Sequence, residues 1–349
     1  MRTTHFFILT RATIMRGLLA LLLLAAGYPI RAQYQPDILG DNYLQRTFRM
    51  TDDYEGEVVC TLVKRTTDNN THDAILYVHG YNDYFFQREL GDSVNARGYN
   101  FYALDLRKYG RSLRPHQDAF FCKDLGEYFA DIDTALATIR SEGNERIWLM
   151  GHSTGGLITS YYLHERQGHC PVDGLILNSP FLDWNFGWGM ENILLPAVSF
   201  IGGYFPNLTA QNGGAFSQYG ASLLKRLKGE WDFNDEWKKL YAHPKKAGWI
   251  HAIHAAQQEL QEEANLDCPV LVLSSDQSLP EGVEWKEGNR MADIVLDVED
   301  IQEYGKQLGP NVTYKAIHNG IHDLILSGQP ARDEAYQTIF RWLASQKSH

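Results

Sequence analysis

The stretch that decides the fold is Gly151-His152-Ser153-Thr154-Gly155, which fits the pattern G-x-S-x-G. An apolar run at 147–150 precedes it, and helix-compatible residues with few breakers follow it from 154 to 166. A strand that turns sharply into a helix at such a serine lifts the hydroxyl above the edge of the sheet, where a substrate carbonyl can reach it. The context predicts a nucleophile elbow with Ser153 as the nucleophile, rather than a Gly-Ser turn of purely structural origin.

A second motif ends an earlier apolar run. Residues 73–78 have strand character and lead into His79-Gly80-Tyr81. An H-G-x turn after an early strand places the amide of its third residue beside a nucleophile elbow, and the other amide follows the serine. We therefore predict that the backbone N–H groups of Tyr81 and Thr154 form an oxyanion hole. The alternative is that His79-Gly80 only ends a strand.

The order of these motifs resembles that of the α/β-hydrolase superfamily. A further strand-like run at 100–106 closes with Asp105-Leu106-Arg107-Lys108-Tyr109-Gly110-Arg111-Ser112. H-G-x, then a D-x-x-G-x-S-like segment, then G-H-S-x-G is the order in the branch that holds monoacylglycerol lipases, lysophospholipases and serine aminopeptidases. The resemblance runs from residue 73 to the C-terminus, except for 181–266. At 107–110 the lipases commonly have a histidine and glycines, so the substrate class stays open.

The resemblance places the catalytic base on the loop after the last strand. Residues 312–317 have strand character and are followed by His318-Asn319-Gly320-Ile321-His322. The G-x-H turn resembles the family's pattern, and His322 is therefore the predicted base. His318 is the alternative on the same loop, and either histidine could instead be a solvated loop residue.

The resemblance also implies an acid after the strand at 270–273, and two candidates are available. Asp276 satisfies the short distance, but no helix start follows it. Asp293 lies in Met291-Ala292-Asp293-Ile294-Val295-Leu296-Asp297-Val298, which resembles the relatives' segment of small residue, acid, apolar residues and second acid before a helix. We predict Asp293 as the acid, at the cost of an exposed loop over 274–290. Asp276 remains the alternative.

Strand-like and helical segments alternate along most of the chain, so the predicted fold class is α/β, a mostly parallel sheet flanked by helices. The strands are predicted near 57–63, 74–79, 100–106, 146–151, 174–179, 269–274 and 312–318. The helices are predicted near 124–140, 154–166, 298–308 and 332–345, with helical pieces near 191–201 and 246–263. Active-site loops are expected at the carboxyl ends of the strands.

One aromatic-rich stretch interrupts this alternation, and the superfamily commonly has a cap there. We assign 33–182 to the first part of the α/β-hydrolase core, 183–265 to a helical cap or lid, and 266–349 to the second part of the core. Aromatic side chains in an insertion usually form its own core. A lid over the serine would leave some of them facing an apolar substrate.

Composition excludes several classes. At 349 residues, 44% hydrophobic and 21% charged, the chain is globular and has room for one large core and an insertion. A net charge of −11 without a basic stripe argues against a nucleic-acid partner. The sequence lacks nucleotide and metal motifs, so no cofactor or metal is expected. Four cysteines allow three disulfide pairings, or none: they are Cys60, Cys122, Cys170 and Cys268.

The N-terminal segment is typical of an export signal. Arg11 and Arg16 precede an apolar run at 18–26, and Ala32 offers a small residue for cleavage. We expect residues 1–32 to be a secretory signal peptide and the mature protein to be periplasmic or extracellular. The run is shorter than the roughly 20 apolar residues that a membrane span needs, and an uncleaved anchor is the alternative.

These features together predict a secreted serine hydrolase that cleaves carboxylic esters through an acyl-enzyme. The resemblance implies carboxylic esters of medium to long acyl chains as substrates, such as monoacylglycerols, lysophospholipids or similar acyl esters, with transient contact with a lipid surface. One alternative is a non-catalytic binding homologue. The other is a serine aminopeptidase acting on small amides, whose cap would present carboxylates to a substrate amine; the candidates are Glu191, Glu230, Asp232, Asp235 and Glu236.

Overall fold

A central sheet organises residues 33–347, the part of the chain that the computed structural model describes. The predicted signal peptide, residues 1–32, lies outside the described residues. The strands are β1 (Gln35–Pro36), β2 (Leu44–Arg49), β3 (Val59–Arg65), β4 (Asp73–Val78), β5 (Asn100–Asp105), β6 (Arg146–His152), β7 (Gly174–Asn178), β8 (Thr209–Gln211), β9 (Lys245–Lys246), β10 (Val270–Ser275) and β11 (Val312–Ile317).

Within 33–347, nine of these strands form one sheet in the order β1-β2-β3-β5-β4-β6-β7-β10-β11. All pairs from β5 to β11 are parallel, whereas β1, β2 and β3 continue the sheet in antiparallel fashion. The predicted class, a mostly parallel sheet, is therefore confirmed. Parallel strands end at the same edge, so the loops after β4, β6, β10 and β11 share that edge of the sheet.

Helices cover both faces of the sheet. They are α1 (Arg88–Ala96), α2 (Phe129–Ser141), α3 (Thr154–His164), α4 (Leu195–Tyr204), α5 (Gln218–Leu223), α6 (Ala247–Glu263), α7 (Val298–Gln307) and α8 (Gln329–Gln346). Single helical turns occur at Gly110–Ser112, Leu125–Tyr128, Met190–Leu194, Glu287–Arg290 and Leu324–Leu326. No helix within 33–347 combines the length and the apolar character needed to cross a bilayer.

The central strands are apolar along their whole length because both of their faces are covered. In β4, Leu76 and Val78 join the core on one face, and Ile75 and Tyr77 join the core on the other. This alternation follows from the two-residue repeat of a strand. Strands buried on both sides read as continuous apolar runs, which is why the sequence pattern located them.

Some elements were not predicted from the sequence. β2, which lies next to the short edge strand β1, is only half-buried, so its pattern is weak. α1 has a clear amphipathic pattern and buries Leu90 and Val94, and its periodicity was the signal that could have located it.

The predicted insertion, 183–265, contains α4, α5, the β8–β9 ribbon and α6. The last helix of the insertion, α6, packs with the core, because its residues Trp249, Ile253 and Leu260 join the same buried cluster as the strands. Its aromatic residues only partly form a core. Trp184 is buried, whereas Trp188 is 73% exposed. The boundaries at 183 and 265 stay predictions.

Candidate active site

Ser153 occupies the turn between β6 and α3. Its backbone has φ 53° and ψ −121°, a conformation that is strained for a residue with a side chain. The flanking glycines are required sterically: a Cβ on Gly155 would lie 2.2 Å from the His79 carbonyl oxygen, and one on Gly151 would lie 2.4 Å from the Thr159 hydroxyl oxygen. The G-x-S-x-G pattern therefore follows from two close approaches: Gly155 packs against the end of β4 and the loop after it, and Gly151 packs against α3.

Ser153 lies within hydrogen-bonding distance of His322 on the loop after β11. The serine Oγ is 2.9 Å from His322 Nε2, and His322 Nδ1 is 2.8 Å from Asp293 Oδ2. The histidine and the aspartate are both buried. From the insertion, the Tyr219 ring packs edge-on against the His322 ring, with centroids 5.3 Å apart. The structure thus brings the three predicted triad residues into one chain of contacts.

Asp293 is fixed by its own backbone surroundings. Its second carboxylate oxygen, Oδ1, accepts hydrogen bonds from the amides of Val295 and Leu296 at 2.8 and 2.9 Å. Its amide donates to the Gln277 carbonyl at 3.0 Å, and the Leu279 amide donates to its carbonyl at 2.9 Å. The chain therefore leaves the end of β10, makes the predicted exposed excursion, and returns beside its starting point.

The two alternatives, Asp276 and His318, pair with each other instead. His318 Nδ1 is 2.7 Å from Asp276 Oδ2, and the His318 side chain is 75% exposed. Asp276 also accepts from the Asn319 amide at 3.0 Å, within the same surface turn. Neither residue makes a hydrogen bond to Ser153 or His322 within the described chain.

The predicted oxyanion amides lie next to the elbow. A Cβ on Gly80 would be 3.0 Å from Ser153 Cβ, so the H-G-x turn packs directly against the serine. His79 holds this turn, because its Nε2 accepts from the Leu106 amide at 3.1 Å. Within 33–347, no oxygen accepts a hydrogen bond from the amides of Tyr81 or Thr154. Both donors are available to a ligand, and Thr154 opens α3, whose dipole favours negative charge there.

A buried polar layer that the sequence analysis missed lies behind His322. The ring of His152 packs at 4.9 Å from that of His322, and its Nδ1 lies 3.0 Å from the Asn178 carbonyl. Burial lowers the pKa of His152, so its imidazole is held neutral. Asp323 accepts from the Asn178 amide group at 2.6 Å and from that of Gln87 at 3.3 Å. Only the positions of these residues could have indicated the layer from the sequence, since Asn178 ends β7 and Asp323 directly follows His322.

Residues of the insertion contact the turn that carries Tyr81. Asn82, with φ 50°, donates through Nδ2 to the Lys239 carbonyl at 2.9 Å and accepts from the Lys239 amide at 2.8 Å. Next to it, Asp83 Oδ1 lies 3.0 Å from Lys238 Nζ, and both side chains are buried. The insertion therefore fixes the turn through two hydrogen bonds to the Lys239 backbone and one buried ion pair.

Potential metal ligands group elsewhere. The ligand atoms of His164, Glu165 and Glu259 lie within 4.8 Å of one another, where α3 ends and α6 passes. This is the end of α3 opposite Ser153. Within the described chain, none of the predicted catalytic residues belongs to such a group.

Comparison with known proteins adds a family and a fold. A model of the family described as serine aminopeptidase, S33, matches residues 69–327. The AB hydrolase superfamily protein YisY of Bacillus subtilis (strain 168) is 33% identical over 107 residues, or 30% of this chain and 37% of that protein. The match thus spans little more than a third of this curated relative.

Three solved structures share the architecture at low sequence identity. A soluble variant of monoglyceride lipase from Saccharomyces cerevisiae, in complex with a substrate analogue, has a TM-score of 0.63 and 16% identity, covering 92% of this chain and 98% of its own. The monoacylglycerol lipase of Paleococcus ferrophilus has a TM-score of 0.59 and 18% identity, with 82% and 98% covered. A highly thermostable carboxyl esterase from Bacillus coagulans, in complex with glycerol, has 0.59 and 16%, with 86% and 98% covered. This likeness establishes the fold.

Proposed function

Because the chain belongs to the serine aminopeptidase S33 family of α/β-hydrolases, we propose that it is a serine hydrolase that cleaves carboxylic esters through Ser153, His322 and Asp293. The observation that carries the proposal is the contact chain of 2.9 Å from Ser153 Oγ to His322 Nε2 and 2.8 Å from His322 Nδ1 to Asp293 Oδ2. With Nδ1–H donating to Asp293, His322 presents the lone pair of Nε2 to the serine hydroxyl, as a general base must.

In the first half-reaction, His322 accepts the Ser153 proton while Oγ attacks the ester carbonyl. The carbonyl oxygen becomes an oxyanion that the amides of Tyr81 and Thr154 can stabilise, since no group of the described chain occupies those donors. The resulting imidazolium donates its proton to the leaving alcohol. Asp293 stabilises that cation, and its remaining oxygen stays bonded to backbone amides.

In the second half-reaction, water takes the position of the alcohol. His322 accepts a proton from the water, the hydroxide attacks the acyl-Ser153 carbonyl, and the same two amides hold the second oxyanion. Collapse of this intermediate returns the proton to Ser153 Oγ and releases the acid. The alignment of a base and an acid with Ser153 also argues against a non-catalytic binding protein, which would not need them.

The charge next to the oxyanion turn favours an ester over a substrate with a free amine. A small cavity beside Tyr81 is lined by Lys245 and Lys246 together with aromatic rings. Lys246 is compensated by Asp118, with Nζ and Oδ2 2.6 Å apart. Lys245 contacts the amide oxygen of Gln211 at 2.9 Å and makes no salt bridge within 33–347, and the Glu281 carboxylate acts on it only through space. The cavity therefore has an excess of positive charge, which repels an ammonium group.

The carboxylates that an aminopeptidase would use do not compensate this charge. Four of the five candidates, all except Glu191, are exposed on the surface of the insertion. Glu230 lies 3.7 Å from Arg332, and Asp235 pairs with Arg226. Cleavage of small amides thus remains the second candidate, supported by the family's name rather than by the charges of this chain.

The insertion also supports transient contact with a lipid surface. Large apolar side chains between residues 186 and 208 are exposed on and around α4, with Trp188 at 73% and Tyr204 at 71%. The set comprises Phe186, Trp188, Met190, Ile193, Leu194, Phe200, Ile201, Tyr204, Phe205 and Leu208. A patch of this kind marks an interaction surface. An enzyme that takes acyl esters from a membrane or micelle needs such a surface close to its entrance.

Lipid contact has its own test. Replacing Trp188 and Phe200 together by serine should reduce co-sedimentation with phosphatidylcholine vesicles and turnover of vesicle-borne monoacylglycerol. Turnover of soluble p-nitrophenyl acetate should stay unchanged, because the chemistry lies in the core. Equal loss on both substrates would count against a membrane role for the patch.

We also propose that the protein is exported after cleavage behind Ala32, on the basis of the N-terminal pattern alone. N-terminal sequencing of the mature protein tests this directly. A mature chain that begins at residue 33 is expected, and retention of the segment would support the anchored alternative.

A covalent probe tests the catalytic proposal. A fluorophosphonate should label Ser153, as read by peptide mapping, and Ser153→Ala should abolish both labelling and turnover of p-nitrophenyl butyrate without lowering the melting temperature. Ser160→Ala, in the helix that follows, is the matched control and should behave like the wild type. Labelling of another serine, or faster turnover of aminoacyl anilides than of esters, would overturn the proposal.

A further inference from the structure

Two of the four cysteines lie side by side at the amino-terminal edge of the sheet. Cys170 precedes β7 and Cys268 precedes β10. These strands are parallel neighbours, with Leu175 opposite Val270 at their start. The two cysteines therefore reach the same edge of the sheet from distant parts of the sequence, which the spacing of cysteines along the chain does not indicate.

Backbone contacts fix this approach on both sides of the pair. The Gly168 amide donates to the Asp267 carboxylate at 2.6 Å, and the Leu175 amide donates to the Pro269 carbonyl at 2.9 Å. Cys170 and Cys268 lie between these two connections, and the Cys170 thiol lies 3.2 Å from the Val172 carbonyl oxygen. Both cysteines are free.

The two thiols differ in accessibility and acidity. Cys268 is buried, whereas Cys170 is half-buried and can be reached from solvent. The neighbouring Cys268 thiol is the main cause that lowers the pKa of Cys170, to about 7. A solvent-accessible thiol that is partly ionised at neutral pH, next to a second thiol, is the arrangement of an attacking and a resolving cysteine.

The other two cysteines do not share these properties. Cys60 and Cys122 are both fully buried in the core on one face of the sheet. Burial raises the pKa of each thiol, so both are protonated and shielded from solvent. The Cys60 thiol contacts Met50 Sδ at 3.6 Å. They serve as apolar core residues.

We propose that Cys170 and Cys268 are a redox modification site that forms an intramolecular disulfide by exchange with a small-molecule or protein disulfide. The Cys170 thiolate attacks one sulfur of the incoming disulfide, which forms a mixed disulfide and releases one thiolate. Cys268 then loses its proton, and its sulfur attacks the Cys170 sulfur and expels the second thiolate. The two cysteines lose two electrons in total, and the incoming disulfide is reduced to two thiols.

The location of the bond determines its effect. The disulfide would join the chain just before β7 to the chain just before β10, and so close a loop that contains the whole insertion. Ser153 and its partners lie at the opposite edge, separated by the length of a strand, or about 16 Å for five residues. A cross-link over so long a loop removes entropy from the unfolded chain. Oxidation should therefore stabilise the fold and leave the chemistry unchanged.

The test uses the purified full chain and oxidised glutathione. The protein is first reduced with dithiothreitol, which is then removed. Titration of thiols under denaturing conditions should find four thiols before treatment and two fewer after it, and peptide mapping should find the bond between Cys170 and Cys268. The melting temperature should rise by roughly 5 °C or more, and dithiothreitol should reverse the rise. Turnover of p-nitrophenyl butyrate should change by less than about two-fold.

Single variants test the order of attack. Cys268→Ser should stop at glutathione attached to Cys170, whereas Cys170→Ser should leave Cys268 unmodified because it is buried. The control Cys60→Ser should still form the bond. Survival of all four thiols in the folded wild-type protein, or a bond that involves Cys60 or Cys122, would overturn the proposal, and neither result depends on the variants folding.

Discussion

Two imidazole–carboxylate pairs share one end of the sheet, and they differ in almost everything except distance. His322 and Asp293 are 2.8 Å apart with side chains that are 3% and 0% exposed, whereas His318 and Asp276 are 2.7 Å apart with 75% and 31% exposed. The first pair also contacts a third group, Ser153. Water screens the second pair, so its contact contributes little. Burial and the third partner therefore distinguish a candidate catalytic pair from a surface ion pair.

The same contrast recurs in the insertion, between two adjacent lysines. The Lys238 side chain is buried against Asp83, whereas Lys239 uses only its backbone to hold Asn82. Neighbours in sequence with the same chemistry thus meet different surroundings in the fold. Matched substitutions can separate their roles.

The largest effect is expected at the histidines. His322→Gln should lower kcat/KM for p-nitrophenyl butyrate by about 10⁵-fold or more, because it removes the proposed general base. His318→Gln, on the same loop, should stay within about two-fold of the wild type. If both variants lost comparable activity and kept native circular dichroism spectra, the loop as a whole would be needed for activity, and His322 would have no distinct role.

The two carboxylates should differ in the same way as the two histidines, with a large effect at the buried residue and a small effect at the exposed one. Asp293→Asn should reduce turnover by about 10⁴-fold, because an amide in place of the carboxylate no longer accepts the Nδ1–H of His322 or stabilises its cation. Asp276→Asn should leave turnover unchanged and alter the free energy of unfolding by less than about 1 kcal/mol, as for other surface pairs. A large loss only in the Asp276 variant would reverse the assignment of the acid.

Local patterns made much of the fold predictable. The apolar runs of β4 to β7, the glycines around Ser153 and the H-G-x turn each reflect a steric or packing requirement that acts within a few residues. Asp293 could be predicted as the acid because the segment that contains it has a recognisable pattern before α7. The short distance rule favours Asp276, yet the chain leaves β10, makes an excursion and returns at Gln277.

What could not be predicted depends on contacts between distant segments. Asp323 is held by Asn178 and Gln87, and the three residues come from three separate parts of the chain. Lys238 finds Asp83 across more than a hundred residues. No periodicity or motif encodes such pairings, because they exist only once the strands have fixed the order of the loops.

Breaking the buried ion pair between Lys238 and Asp83 should have a smaller effect than removing a residue of the proposed triad. Lys238→Met keeps the apolar stem but leaves Asp83 buried without its cation, which should cost about 3–5 kcal/mol of folding free energy. The turn that carries Tyr81 should loosen, and kcat should fall roughly tenfold because an oxyanion donor is misplaced. Urea unfolding and steady-state kinetics measure the two effects.

Lys239→Met is the matched control for this pair. Its backbone contacts with Asn82 are independent of the side chain, so stability should change by no more than about 0.5 kcal/mol and kcat should be retained. If both lysine variants lose the same stability and activity, the buried ion pair does not act as described. Lys238→Arg should recover part of both quantities, because the charge is restored.

The smallest effect is expected on the pH dependence of stability, and it involves His152, a third imidazole at this edge of the sheet. Burial lowers the pKa of His152 in the folded protein, whereas in the unfolded chain it titrates near its ordinary value of about 6.5. Between those two pKa values the unfolded state binds the proton more readily, so this contribution to stability is present above about pH 6.5 and is lost as the pH falls below it. His152→Gln should therefore flatten the fall in unfolding free energy on acidification, as measured by urea titrations at a series of pH values. An unchanged slope in the His152 variant would show that another group controls the acid limb of stability.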